Sequence, residues 1–399
     1  MRHHEFIQLV TDHEQYRKEA INLIASENTS SPLVRRILGS DLGNRYSADY
    51  YAGTKIIRKI IAKTESYIRE LFDVDHAIVS ALSGNICVIA LALGLTKAKD
   101  KIMVVEKGKS GGYPLDYSFI NRQKVIFAFS NEDMNILVEE TVEAIKKLKP
   151  KLVVFGSSFI PFPHPVKEIT DIFSKRKTLH FAYDGSHVLG LIAGKQFQDP
   201  LREGASVLIG STHKSFPGPQ GGVILTDDMA KYELLSSSVD LDLEKGIRLV
   251  DNNHPNRIAA LGITALELLE FGKDYAEQIV KNSKALASSL DRNGVPVRFK
   301  NKGFSESHQV LIETSETEGG SIKNRAEKLG LMVDSELRIG TSEITRLGMK
   351  ELEAKEIGEI FAQIYHNNES PELMRRIRDL ARMFRQPCYC FTDIGDISY

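Results

Sequence analysis

Ser211-Thr212-His213-Lys214-Ser215-Phe216-Pro217-Gly218-Pro219-Gln220-Gly221-Gly222 is the stretch on which the reading of this chain turns. It follows a β-like run, Ser206-Val207-Leu208-Ile209-Gly210, and leads into another, Gly222-Val223-Ile224-Leu225. A lysine thus sits just past a strand end, wrapped in hydroxyls and a histidine and closed by a Pro/Gly turn. An isolated lysine in a turn is ordinarily a solvated cation. What stands at the neighbouring strand ends decides whether this one is a nucleophilic amine.

One strand earlier, the apolar run Leu179–Tyr183 ends in Asp184-Gly185-Ser186-His187. Taken alone, an aspartate there is a common helix cap. Further back, Ala77-Ile78-Val79 leads to Ser83-Gly84-Asn85 and a helix from Ile86 to about Leu95. Such a helix start offers backbone N–H groups and the positive end of a dipole to a phosphate. Strands are also expected at Ile102–Val105, Val125–Phe129 and Leu152–Phe155, with helices near 134–148 and 166–176. This β/α alternation predicts a mostly parallel wound sheet. In open sheets of this kind ligands bind outside the carboxyl ends of the strands, where all three features fall. A carboxylate to keep a pyridine nitrogen protonated, an amine to form an imine and a helix start for a phosphate are what pyridoxal phosphate requires. Their order matches the aspartate-aminotransferase-like (fold type I) arrangement.

The remainder frames that site. A chain of 399 residues has room for two domains, and 42% hydrophobic with 26% charged residues is ordinary for a globular protein. With 52 basic and 53 acidic residues, no charge excess argues for nucleic acid. The start lacks an apolar signal core, the run Val88–Leu93 is too short to span a bilayer, and three cysteines make no disulfide framework. A cytoplasmic protein without membrane or nucleic-acid partners is expected. Residues 1–40 read as an N-terminal arm in which Glu27 and Asn28 form a capping pair. Residues 41–270 read as the large domain and 271–399 as a smaller α+β domain, joined by a helix from about 256 to 291. Strands at Val297–Phe299, Val310–Ile312 and Met332–Val333 and helices near 321–329, 349–366 and 371–384 are expected there. The tail from Cys388 to Tyr399 is read as packing against a neighbour.

Several stretches together resemble the serine hydroxymethyltransferase family. They are Leu23-Ile24-Ala25-Ser26-Glu27-Asn28, Tyr50-Tyr51-Ala52-Gly53, Asp184–Gly194, Thr212-His213-Lys214-Ser215, Pro219-Gln220-Gly221-Gly222 and Leu337-Arg338-Ile339-Gly340-Thr341. The resemblance implies Lys214 as the Schiff-base lysine and Asp184 as partner of the pyridine nitrogen. It implies His187 and Ser158 near the cofactor's phenolic oxygen. Ser83, Gly84 and Asn85 then form the phosphate turn, with Ser211 and His213 close by. Arg338, a guanidinium fork matched to two oxygens, and Ser26 would bind the amino-acid carboxylate. Tyr51 would lie near the imine and Tyr46 near the phosphate or substrate, each reaching across a homodimer interface.

The chain also departs from the family. Only Ser47-Ala48-Asp49 remains where relatives carry a longer glutamate-containing segment, so Asp49 is its shortened counterpart. The loop before Arg338 is cut to Asp334-Ser335-Glu336. Tyr113 replaces the ring-stacking histidine, Gln220 an arginine, and Asp251-Asn252-Asn253-His254 the Gly-rich phosphate loop offered by a neighbouring subunit. The implied function is interconversion of serine and glycine by Cα–Cβ cleavage, with one-carbon transfer to a tetrahydropterin. Two alternatives stand beside it: a pterin-independent aldolase, transaldolase or other amino-acid lyase, and an idle cofactor-binding homologue.

Overall fold

Leu152-Val153-Val154-Phe155 are all buried, as a strand covered on both faces must be. In the computed structural model, which describes residues 2–240 and 246–393, this strand lies inside a seven-stranded sheet. Its strands are His76–Ile78 (β1), Lys101–Val104 (β2), Gln123–Ile126 (β3), Leu152–Phe155 (β4), His180–Asp184 (β5), Val207–Ser211 (β6) and Gly222–Thr226 (β7). They are ordered β1-β7-β6-β5-β4-β2-β3. β7 is antiparallel to both neighbours, and the other pairs are parallel. The inner strands β6 and β7 are buried throughout, whereas β3 is an edge strand with exposed Gln123 and Lys124, a polarity that discourages further pairing. The mostly parallel wound sheet is therefore present.

Two compact units make up the chain. One comprises Ser30–Ala276 and the residues from Tyr389 onward; the other comprises the residues up to Thr29 and Glu277–Cys388. The sheet belongs to the first. In the second, Ile21–Asn22 pairs in parallel with Leu331–Met332, and Gln309–Leu311 pairs antiparallel with Arg338–Gly340. Its core gathers Leu23, Leu286, Leu290, Val310, Ile357 and Phe361. The first 40 residues, expected as one arm, are divided. The helix Arg2–Lys18 buries no residue, the strand Ile21–Asn22 is tied into the second unit, and the helix Pro32–Leu38 belongs to the first. The helix Pro255–Arg292 continues unbroken past Ala276.

Local chemistry explains the other differences. Glu27 and Asn28 do not cap the following helix: Val34 N donates to Ser31 Oγ at 3.3 Å, and proline opens the first turn. Glu27 instead pairs with Arg17 at 3.1 Å and accepts from Asn22. The stretch expected as one strand over 125–129 is split into β3 and Phe129–Ser130, the latter pairing with Asn135–Ile136. Val297 makes one bridge only, to Ile312, because Phe299 has φ +62°, outside the strand region. A helix at Met229–Val239, capped by Asp228, was not expected. In the tail, Tyr389 and Phe391 pack on Tyr275 and Phe271 with ring centroids 5.4 and 5.8 Å apart. The rest of that tail, 394–399, lies outside the described residues. No described helix is long and apolar enough to cross a membrane.

The short helix Leu189–Ala193 supports the lysine loop. Gly190 N donates to Ser215 Oγ at 3.1 Å, and a Cβ on Gly190 would stand 2.2 Å from the Ser215 carbonyl oxygen. Gly190→Ala is expected to lower stability by about 1–3 kcal/mol, because neither backbone can yield without moving the loop. Urea unfolding measures this, and an unchanged midpoint would contradict the close approach.

Candidate active site

The carboxyl ends of three parallel strands and one helix start enclose a cavity of about 240 Å³. β4 runs into Gly156-Ser157-Ser158, β5 ends at Asp184 and β6 at Ser211; the helix Gly84–Leu95 begins after Ser83. Ser83, Gly84, Asn85, Tyr113, Ser158, Asp184, His187, Ser211, His213 and Lys214 all line the cavity. Ten residues singled out in the sequence are thus brought to one place.

Short polar contacts fix this arrangement. Ile86 N donates to Ser83 Oγ at 3.2 Å, starting the helix at the cavity wall. The helix start comes close to the β6 end: a Cβ on Gly84 would lie 2.3 Å from Ser211 Oγ, which would have to rotate away. Ser211 N donates to Ser186 Oγ at 3.1 Å, joining β6 to the turn after β5. Ser186 N in turn donates to Asp184 Oδ1 at 3.0 Å. Beyond Lys214 the chain folds back: Gly218 N donates to the Thr212 carbonyl at 2.9 Å, and Thr212 Oγ1 donates to that of Pro219 at 2.6 Å. Ser158 donates through both N and Oγ to the Gly111 carbonyl, at 2.6 and 2.7 Å, tying the β4 turn to the loop that carries Tyr113.

Electrostatics in the cavity follow from burial. Burial first, and the neighbouring Lys214 second, push the His213 imidazole down to about 4, so the ring is neutral near pH 7. Its Nδ1 is buried without a hydrogen-bond partner. An orphaned nitrogen of this kind is costly unless a ligand completes it. Burial, aided by the Asp184 charge, raises the Tyr113 phenol, which keeps its proton and donates to Asn85 Oδ1 at 3.1 Å. An amine, a carboxylate, a helix start and an unpartnered imidazole nitrogen are a donor set that fits pyridoxal phosphate.

Other expected site residues lie elsewhere. Tyr46 and Tyr51 stack on each other at 4.8 Å with both rings exposed, and neither lines this cavity. Asp49 is exposed and ion-pairs with Arg58. Asn253, in the expected phosphate loop, accepts from Ser47 Oγ at 3.0 Å, tying that loop to the shortened segment. Ser26 and Arg338 belong to the other unit, where Ile24 bridges Ile339 and Gly340 N donates to the Leu23 carbonyl at 2.8 Å. The Ser26 segment therefore runs beside the strand that carries Arg338. Asp334 holds Arg338 by a 3.0 Å bond to its backbone N and a 3.3 Å contact to Nη2. Sequence reasoning missed Gly156, Ser157 and Ser186 as cavity residues. The Gly-Ser-Ser turn after a wholly apolar strand was the signal for Gly156 and Ser157, and the Asp-Gly-Ser turn after β5 was that for Ser186. Arg257, which does not line the cavity, is buried; burial brings its guanidinium down to about 10, and Nη2 donates to the Val79 and Asn253 carbonyls.

Residues 1–361 match the family described as serine hydroxymethyltransferase. A protein of that name from Thermococcus kodakarensis is 39% identical over 394 residues, covering 92% of this chain and 90% of its own. Another, from Methanocaldococcus jannaschii, is 39% identical over 417 residues, covering 97% and 95%. In architecture the chain is similar to the crystal structure of L-threonine transaldolase from Pseudomonas fluorescens, with a TM-score of 0.87 at 24% identity, covering 97% of this chain and 93% of that one. That likeness shows the fold, the fold type I architecture expected from the order of the strand-end residues. With a family match across most of its length, relatives at this identity and a donor set to suit, the chain belongs to the serine hydroxymethyltransferase family.

Proposed function

We propose that the protein is a pyridoxal-phosphate-dependent serine hydroxymethyltransferase, interconverting serine and glycine with transfer of the one-carbon unit to a tetrahydropterin. The convergence of Lys214, Asp184, His213 and the Ser83-Gly84 helix start on one cavity carries this reading. Lys214 would hold the cofactor, the helix start, Ser211 and His213 Nδ1 would take its phosphate, and Asp184 would keep its pyridine nitrogen protonated. Tyr113 would stack on the ring, and His187 and Ser158 would lie at its phenolic edge. When bound, pyridoxal phosphate draws electrons from the amino acid's Cα and so weakens the bond there that stands perpendicular to its ring. Arg338 and Ser26 would grip the substrate carboxylate and so select Cα–Cβ as that bond. Tyr51, Tyr46 and Asp49 would act from a second copy in a homodimer, with Asp49 assisting proton movement on the serine hydroxyl.

One observation favours pterin-independent cleavage as a second reading. Asp49, the only acidic residue of the shortened segment Ser47-Ala48-Asp49, is exposed and already paired with Arg58. The two readings separate when glycine formation from serine is measured with and without tetrahydrofolate or tetrahydromethanopterin, and from threonine and phenylserine without either. Pterin-stimulated serine turnover is expected. Cleavage that no pterin accelerates would establish the second reading instead.

The carboxylate role has its own test. Arg338→Lys keeps the charge but loses the fork, and is expected to raise KM for the amino acid by roughly 10–100-fold, the worth of a charge-assisted hydrogen bond. Steady-state kinetics read this directly, and an unchanged KM would remove Arg338 from substrate binding.

A further inference from the structure

The turn Gly156-Ser157-Ser158 forms one wall of the cavity, and its first residue is under close constraint. Gly156 has φ +99°, and a Cβ there would stand 2.1 Å from the Asp184 carbonyl oxygen. The turn thus lies directly against the backbone of the carboxylate residue. Its other end is tied through Ser158 to Gly111, in the loop of Tyr113. Gly156 N has just left the ladder of β4, so it needs an acceptor from elsewhere. That acceptor is His164 Nδ1, at 3.2 Å.

His164 is itself held without using its ring. Its backbone N donates to Gln198 Oε1 at 2.8 Å, and Gln198 Nε2 donates to its carbonyl at 3.0 Å. Gln198 also accepts from Tyr183 of β5 at 2.9 Å and donates to Glu203 at 2.6 Å. The imidazole is 3% exposed, and its Nε2 has no hydrogen-bond partner. It does not line the cavity.

We propose that His164 is a positioning residue for the cofactor cavity: as a neutral ring it accepts from Gly156 N and so sets the Gly156–Ser158 wall against Asp184. The inference rests on the cofactor reading above for its consequence, though not for its geometry. Nδ1 can accept only while it carries no proton. Burial brings the ring down from 6.5 to about 4. The titratable groups around it are Tyr183, whose ring centroid is 6.3 Å away, Glu203 beyond Gln198, and Asp184 beyond the turn. Because the folded-state value is depressed, the associated stability is fully present above pH 6.5 and is lost as pH falls through about 4.

Two variants and two readouts test this. His164→Asn offers an amide oxygen where Nδ1 stands and cannot titrate; His164→Leu removes the acceptor. The readouts are the pyridoxal phosphate dissociation constant, titrated from about pH 7 to about pH 4, and amide hydrogen exchange of the peptide containing Gly156 in the cofactor-free protein. His164→Leu is expected to weaken cofactor binding by about tenfold or more, the effect of one buried amide without an acceptor, and to speed exchange. His164→Asn is expected to bind like the wild type near neutrality and to lose the extra weakening that the wild type shows toward acid pH. Should His164→Leu not fold, the comparison of wild type with His164→Asn across pH decides. A folded His164→Leu with wild-type affinity and exchange, or a His164→Asn variant with the same acid weakening as the wild type, would overturn the proposal. If the wild type takes up no pyridoxal phosphate, the cofactor reading fails, and exchange at Gly156 still decides the role of His164.

Discussion

The hydrogen bond from Ser211 N to Ser186 Oγ joins the end of β6 to the turn that follows β5. Asp184 and Lys214 belong to different strand ends, and their usefulness depends on those ends staying in register. A parallel sheet fixes the spacing of its strands, and one further backbone bond, from Gly185 N to the Ile209 carbonyl at 2.8 Å, carries that register just past the end of β5. Ser186 extends that tie through its side chain, and the helix start at Gly84 completes the same wall. From this join the rest follows: an amine, a carboxylate and a helix N-terminus face one cavity.

Close backbone approach recurs around that cavity. Gly156 against the Asp184 carbonyl and Gly190 against the Ser215 carbonyl each leave no room for a Cβ. Of these, only Gly156 needs glycine for its φ as well. Rigid contacts of this kind suit a site that must hold charged groups apart and aimed before a ligand arrives. The orphaned His213 Nδ1 shows the corresponding cost, a buried polar atom whose partner is left for the ligand to provide.

Much of this was legible in the sequence because strand ends carry their own signals. Lys214, Asp184 and Ser83-Gly84 each follow an apolar run, and the β/α rhythm put all three on one edge of the sheet. What could not be read was set by contacts distant along the chain. The division of the first 40 residues depends on Ile21 pairing with Leu331, a partner no local pattern announces. The break at Phe299 depends on a left-handed backbone at a residue whose side chain favours strands. Gly156, Ser186 and His164 escaped because their roles lie in hydrogen bonds to backbone atoms rather than in a recognisable chemical motif. Tyr46, Tyr51 and Asp49 were named through resemblance, and on this chain they stand outside the cavity.

The most direct measurement is reductive trapping of the cofactor on the protein. Borohydride reduction of the protein incubated with pyridoxal phosphate, followed by peptide mass mapping, locates any lysine that carries it. A pyridoxyl adduct at Lys214, absent from a Lys214→Ala variant, is the expected result. An adduct on another lysine, or none at all, would contradict the assignment of this cavity as a pyridoxal phosphate site.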